Sequence, residues 1–224
     1  HSEIMRYEEI TFLCGVLWEL GVRKVRFTGG EPLVRRGLVS FLKDLNKEFP
    51  EMKTALTTNG SLLGQFADQL AGASLHSLNI SLDTLDPVKF ADVTRLGDLD
   101  TVISGIRAAV KAKIRNIKLN TVLIRGFNDK EIADLIAFAK REKVLLRLIE
   151  FMPLEDDVWN EEAFISGEEI LKMLPEGDSW KAERPDSEQA GPAKYYRNEK
   201  TGDSIGIITA VSNHFCKYCN RLRV

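Results

Sequence analysis

The chain has 224 residues, enough to bury the core of one sizeable domain, or of a domain with an appendage. Its 31 lysines and arginines nearly balance 33 aspartates and glutamates, and a net charge of −2 argues against nonspecific binding to nucleic acid or to a membrane surface. Three cysteines argue against a secreted disulfide framework and for a reducing, cytoplasmic setting, and no apolar run reaches the roughly 20 residues of a membrane span.

The chain opens at His1, without an initiator Met or a visible signal peptide, and stops at Val224; both ends read as cut. From Tyr7 to Gly21 apolar residues recur at helical spacing (Ile10, Leu13, Cys14, Leu17, Leu20), and the helix feeds a strand at Lys24 to Thr28. Helices near Leu38 to Phe49 and Leu62 to Ala71 then alternate with strands near Thr54 to Thr58 and Leu78 to Leu82. Asp86-Pro87 starts a short helix, with Asp as N-cap and Pro at the first helical position, and a longer helix spans about Leu99 to Lys113. Strands at Ile117 to Ile124 and Leu145 to Phe151 bracket a helix from about Asp129 to Glu142. Beyond Pro153 the character changes. Ser166-x-x-Glu169 is a capping box, Pro175 to Gly202 is polar, and Asp203 to Val211 is β-prone.

Strands alternating with helices of this length imply right-handed βαβ units, hence an α/β fold with a parallel sheet. Five strands before Pro153 are too few for a closed barrel of eight, and the chain starts on a helix with no strand before it. The expectation is a partial TIM-type barrel whose first strand is missing, with a small C-terminal antiparallel element. The barrel core would occupy residues 1–153, and residues 154–224 would form a C-terminal region.

In such a barrel the reactive groups gather where strands end. The first strand here ends in Thr28-Gly29-Gly30-Glu31-Pro32, in which paired glycines let the backbone approach a ligand and Glu31 can accept from an ammonium. The next two end in Thr57-Thr58-Asn59-Gly60 and Ser81-Leu82-Asp83, small hydrogen-bonding groups that could equally cap turns. Arg26 shares a strand face with Thr28, Lys118 shares one with Asn120, and Arg147 interrupts an apolar strand. Singly, each could snorkel to water; jointly, several cations aimed into one cavity suit a polyphosphate. Cys216 and Cys219 stand at metal-ligand spacing, followed by Arg221 and Arg223. Two thiols are half of a zinc or iron-sulfur site. His214 and Cys14 read as packing residues, as does Met152 taken alone.

Together these strings resemble one family, the GTP 3′,8-cyclases (molybdenum cofactor biosynthesis protein A) of the radical S-adenosylmethionine superfamily. They are Arg26-Phe-Thr-Gly-Gly-Glu-Pro-Leu-Val-Arg35, Thr57-Thr-Asn-Gly60, Asn79-Ile-Ser-Leu-Asp-Thr84, Lys118-Leu-Asn120, Arg147-Leu-Ile-Glu-Phe-Met-Pro153 and His214-Phe-Cys-Lys-Tyr-Cys-Asn-Arg-Leu-Arg223. The resemblance implies that Gly30, Ser81 and Met152 contact S-adenosylmethionine, with Glu31 near its amino group. It implies that Arg26, Thr57, Lys118, Arg147, Arg221 and Arg223 line the GTP site, and that Cys216 and Cys219 hold part of a second 4Fe-4S cluster. The implied enzyme is a lyase with two 4Fe-4S clusters. In it a 5′-deoxyadenosyl radical takes the 3′ hydrogen of GTP, and the 3′ carbon then closes onto carbon 8 of guanine. An electron donor and a downstream cyclic pyranopterin monophosphate synthase would be its partners, and a homodimer is compatible with the resemblance.

One departure matters. The family's Cys-x-x-x-Cys-x-x-Cys motif for the first cluster is absent from this chain, and a third cysteine for the second cluster is absent after Cys219. The 224-residue chain by itself is therefore expected to be inactive. Two other readings stay open on the sequence. One is a different radical enzyme with an auxiliary cluster and a peptide or sugar substrate; the other is a noncatalytic module in which Cys216 and Cys219 pair across chains around zinc.

Overall fold

The computed structural model describes residues 4–95, 97–153, 161–184 and 191–213. Its helices are α1 (Tyr7–Glu19), α2 (Leu38–Glu48), α3 (Leu63–Gly72), α4 (Pro87–Thr94), α5 (Leu99–Lys111), α6 (Ile132–Glu142) and α7 (Gly167–Met173). Its strands are β1 (Lys24–Phe27), β2 (Lys53–Thr58), β3 (Ser77–Ser81), β4 (Ile117–Leu123), β5 (Leu145–Glu150), β6 (Trp180–Glu183), β7 (Lys194–Asn198) and β8 (Ser204–Ile208). The chain divides into two compact units, His1–Ser81 with Asp98–Ile117, and Leu82–Gly97 with Lys118–Val224. Among the described residues no helix is long and apolar enough to cross a membrane.

In the first unit β1, β2 and β3 lie side by side and parallel, with Phe27 opposite Leu56 and Thr57 opposite Asn79. Alternation sends Phe27, Leu56, Leu78 and Ile80 to one face and Arg26, Thr57 and Asn79 to the other. The apolar face meets the helices, for Phe27 sets its ring edge-on to Phe41 of α2 with centroids 5.5 Å apart. Leu42, Leu45, Leu63, Leu70 and Ile106 complete that core and are buried. α3 and α5 approach so closely that a Cβ on Gly105 would lie 3.1 Å from the carbonyl oxygen of Gly60 and 3.2 Å from the backbone nitrogen of Gly64.

In the second unit β4, β5 and β8 run parallel, and β8, β7 and β6 continue antiparallel. Leu119, Leu123, Leu146, Leu148, Ile205 and Ile207 are buried on the face against which α6 and α7 pack. The predicted caps form as drawn. Asp86 accepts from the backbone nitrogens of Val88 and Lys89, and Ser166 and Glu169 close a reciprocal capping box on α7. The helix anticipated from Asp129 starts instead with a 3₁₀ turn, Asp129–Glu131, before α6.

The strand anticipated over Asp203 to Val211 departs in its pairing. β8 does join an antiparallel element, but its other edge pairs in parallel with β5, Arg147 standing opposite Gly206. The burial of Ile205, Ile207 and Ile208 gives the reason: a strand covered on both faces belongs inside a sheet rather than at its margin. Within the polar stretch that follows Pro175, β6 and β7 pair antiparallel, Ala182 opposite Tyr196, and β7 is held by its own buried residues, Tyr195 on one face and Asn198 on the other.

Candidate functional site

In the first unit the polar face of the sheet carries an organised set. Arg26 donates through Nη1 to the Thr57 hydroxyl at 3.2 Å and to the Leu56 carbonyl at 3.4 Å, so the two residues named from the sequence are partners. Gly29 and Gly30 are exposed, and the space beside both is open: a Cβ on either would meet nothing within 4 Å. A turn without side chains, open on its outer side, suits the polar end of an amino-acid-bearing cofactor. Ser81 is exposed at the end of β3. Glu31 accepts from the Leu33 nitrogen at 3.0 Å, the Asn59 nitrogen at 2.7 Å and the Thr58 hydroxyl at 2.8 Å. Its carboxylate thus ties the loop after β1 to the loop after β2, holding the Gly-Gly turn in place.

In the second unit Lys118 and Arg147 are buried, at 4% and 6% exposure. Arg147 stands opposite Asn120 and donates to its side-chain oxygen through Nε at 2.9 Å and Nη2 at 2.6 Å. The row continues across the sheet to Gly206 and Tyr195. A Cβ on Gly206 would lie 3.0 Å from Arg147 Cγ and 3.1 Å from Tyr195 Cε1, so the missing side chain leaves room for both of them. Burial pushes the Tyr195 hydroxyl above its usual range, while the charge of Arg147 and its hydrogen bond pull the other way. Met152 follows β5 and is 38% exposed.

Glu150, fully buried at the end of β5, accepts from the backbone nitrogens of Gly167 at 2.7 Å, Val211 at 2.7 Å and Ser212 at 2.9 Å, and from the Ser212 hydroxyl. That carboxylate anchors the turn after β8, the segment that leads into the Cys216 region. Asp83, just past β3, accepts from the Val122 nitrogen at 2.8 Å, and burial holds its carboxyl above the usual range against that hydrogen bond. Asn120, Tyr195, Glu150 and Asp83 were not assigned roles on the sequence. Their common signal is a polar residue within or at the end of an apolar strand.

Cys216, Cys219, Arg221 and Arg223 lie outside the described residues, as does His214. Among the described residues no three His, Cys, Asp or Glu side chains come together to hold a metal. The described thiol, Cys14, is buried on α1, and burial together with the nearby Glu48 carboxylate raises its pKa, which disfavours the thiolate a cluster needs. The open Gly29-Gly30 turn, with Ser81 exposed on its own strand end, fits S-adenosylmethionine.

Comparison with known proteins finds two family models along the chain. The family described as the Radical SAM superfamily matches residues 1–139, and Molybdenum Cofactor Synthesis C matches residues 144–224. A GTP 3′,8-cyclase of Peptoclostridium acidaminophilum is 43% identical over all of this chain and 68% of its own length. A GTP 3′,8-cyclase of Thermodesulfovibrio yellowstonii is 39% identical over all of this chain and 69% of its own. Among solved structures, anSMEcpe with bound AdoMet superposes at a TM-score of 0.60 and 20% identity, covering 76% of this chain and 47% of that one, a likeness of fold alone. With a superfamily match over more than half its length, and relatives near 40% identity that it covers by two thirds, the chain belongs to the GTP 3′,8-cyclase family of the radical SAM superfamily.

Proposed function

We infer that this chain is the substrate- and cofactor-handling part of a GTP 3′,8-cyclase, a lyase that converts GTP to 3′,8-cyclo-7,8-dihydro-GTP on the way to cyclic pyranopterin monophosphate in molybdenum cofactor biosynthesis. The observation that carries the reading is the match of the whole chain to enzymes of that name. S-adenosylmethionine, when bound and reduced, supplies the radical that takes hydrogen from the substrate.

The chain's own residues bind and orient. Arg26, held by Thr57, and Arg147, held by Asn120, present guanidinium groups whose direction is set before a ligand arrives, which lowers the cost of ordering them on binding. Lys118 adds a buried cation on the β4 face that carries Asn120. Arg26, Arg147 and Lys118, with Thr57, Arg221 and Arg223, form the proposed GTP contacts; the guanidinium geometry suits phosphate oxygens. Gly30, Glu31, Ser81 and Met152 form the proposed cofactor contacts, Glu31 by bracing the glycine turn as well as by its charge.

Residues 1–153 are proposed as the barrel core and residues 154–224 as the region bearing Cys216 and Cys219, ligands of the second of two 4Fe-4S clusters. A cytoplasmic location, an external electron donor and a synthase consuming the product complete the proposal; a homodimer is compatible with it. Equilibrium dialysis of the chain with labelled GTP tests it. Arg147→Ala and Arg26→Ala are expected to weaken GTP at least tenfold and leave S-adenosylmethionine within twofold. GTP affinity unchanged in both variants would point to another substrate.

A further inference from the structure

β3 bears three polar residues on the face opposite its helices, and their exposure changes along the strand. Ser77 is 1% exposed, Asn79 is 5% exposed, and Ser81 at the C-terminal end is open to solvent. Asn79 stands directly opposite Thr57, which in turn carries Arg26. Its neighbours Leu78 and Ile80 point the other way; Ile80 Cγ2 sits 3.2 Å from where a Cβ on Gly60 would be, in the helix-covered core. The side-chain oxygen of Asn79 has no hydrogen-bond partner among the described residues.

That is a costly arrangement. An amide oxygen withdrawn from water without a donor is destabilising, and no hydrogen-bond donor among the described residues offsets it. Packing does not call for it either, because an apolar residue of similar size would fill the same volume at no such penalty. A buried acceptor aimed along a face that already carries Arg26, Thr57 and Ser81 is satisfied if a ligand brings the missing N–H or O–H.

We propose that Asn79 is a binding residue, whose side-chain oxygen accepts a hydrogen bond from the nucleoside portion of a ligand seated on the β1–β2–β3 face. This rests on the reading that the chain binds GTP and S-adenosylmethionine. Both carry a nucleoside with hydroxyl and N–H donors, so the chemistry is shared and the source is separated by measurement.

The test uses Asn79→Leu and Asn79→Ala in the whole chain, with affinities for GTP and for S-adenosylmethionine measured separately and thermal midpoints recorded alongside. Asn79→Leu is expected to raise the midpoint, because the orphaned acceptor is gone. Both variants are expected to weaken one of the two ligands by about five- to hundredfold, the span of a lost hydrogen bond that leaves a donor unpaired. The ligand that weakens identifies the source. Affinities for both ligands within twofold of wild type would overturn the proposal, as would two variants that both fail to fold, since Asn79 would then be a structural residue. Arg26→Ala is the companion: loss of GTP binding there, with neither ligand weakened in the Asn79 variants, sinks this proposal alone. A wild-type chain that binds neither ligand removes the functional reading and this one with it.

Discussion

Arg147 shows how a cation can be carried through an apolar strand. Its neighbours on the same face, Leu145 and Ile149, pack with Ala193, Tyr195 and Ile208, while the guanidinium is pinned to Asn120 by two hydrogen bonds. Asp83 is the opposite case, a carboxylate whose burial outweighs its one backbone donor. Its folded pKa is raised, so the native state holds the proton more tightly than the unfolded chain. The group therefore subtracts stability at neutral pH, and the penalty is relieved as pH falls through the raised value toward the ordinary carboxylate range. Asp83→Asn, which keeps an oxygen for Val122, is expected to stabilise the chain at pH 7 and to lose that advantage near pH 3–4, where Asp itself is neutral. Urea unfolding at the two pH values checks this; an advantage that persists in acid contradicts it. The Arg26–Thr57 pair was within reach of the sequence, because Arg26 was already picked out on a strand face and Thr57 at the end of the next strand, and a one-strand step brings them together. The Asn120–Arg147 pair was not, since it depends on the register between β4 and β5.

Elements were legible wherever a local rule specifies them. α4 and α7 begin where Asp86 and Ser166 cap them, and α1, α2 and α5 follow their apolar stripes. β8 was assigned its position but only half of its neighbours, because an isoleucine-rich run announces burial without saying which strand lies beside it. The α3–α5 contact was invisible for a related reason: Gly105 looks like an ordinary helix-interior residue until Gly60 and Gly64 are seen pressing against it. Gly105→Ala, favourable by helix propensity alone, is expected to destabilise by about 1–3 kcal/mol, because a methyl group would force the helices apart. A denaturant midpoint equal to or above that of wild type would show that the contact relaxes without cost.

At the scale of the whole molecule, chemistry is limited by the thiols available. Cys14, Cys216 and Cys219 are the only cysteines, and none belongs to a Cys-x-x-x-Cys-x-x-Cys string. Reconstituted with iron and sulfide and given S-adenosylmethionine and dithionite, the 224-residue chain is expected to yield no 5′-deoxyadenosine above the protein-free control. Stoichiometric product by liquid chromatography would mean that cluster ligands come from elsewhere in the chain. The GTP-binding tests do not depend on this outcome, since affinity needs the cations and not the radical.

By itself the sequence determined the α/β class, the order of helices and strands through Glu150, and the family, because periodicity, caps and contiguous motifs are local properties of the chain. Only the tertiary structure decided that Glu31 and Glu150 brace turns through backbone donors, that β8 pairs with β5, that Gly206 makes room for Arg147, and that Asn79 is buried with its oxygen unsatisfied. Each of these depends on strand register and close approach between residues far apart in the chain, which are set by how the whole core packs rather than by any local pattern.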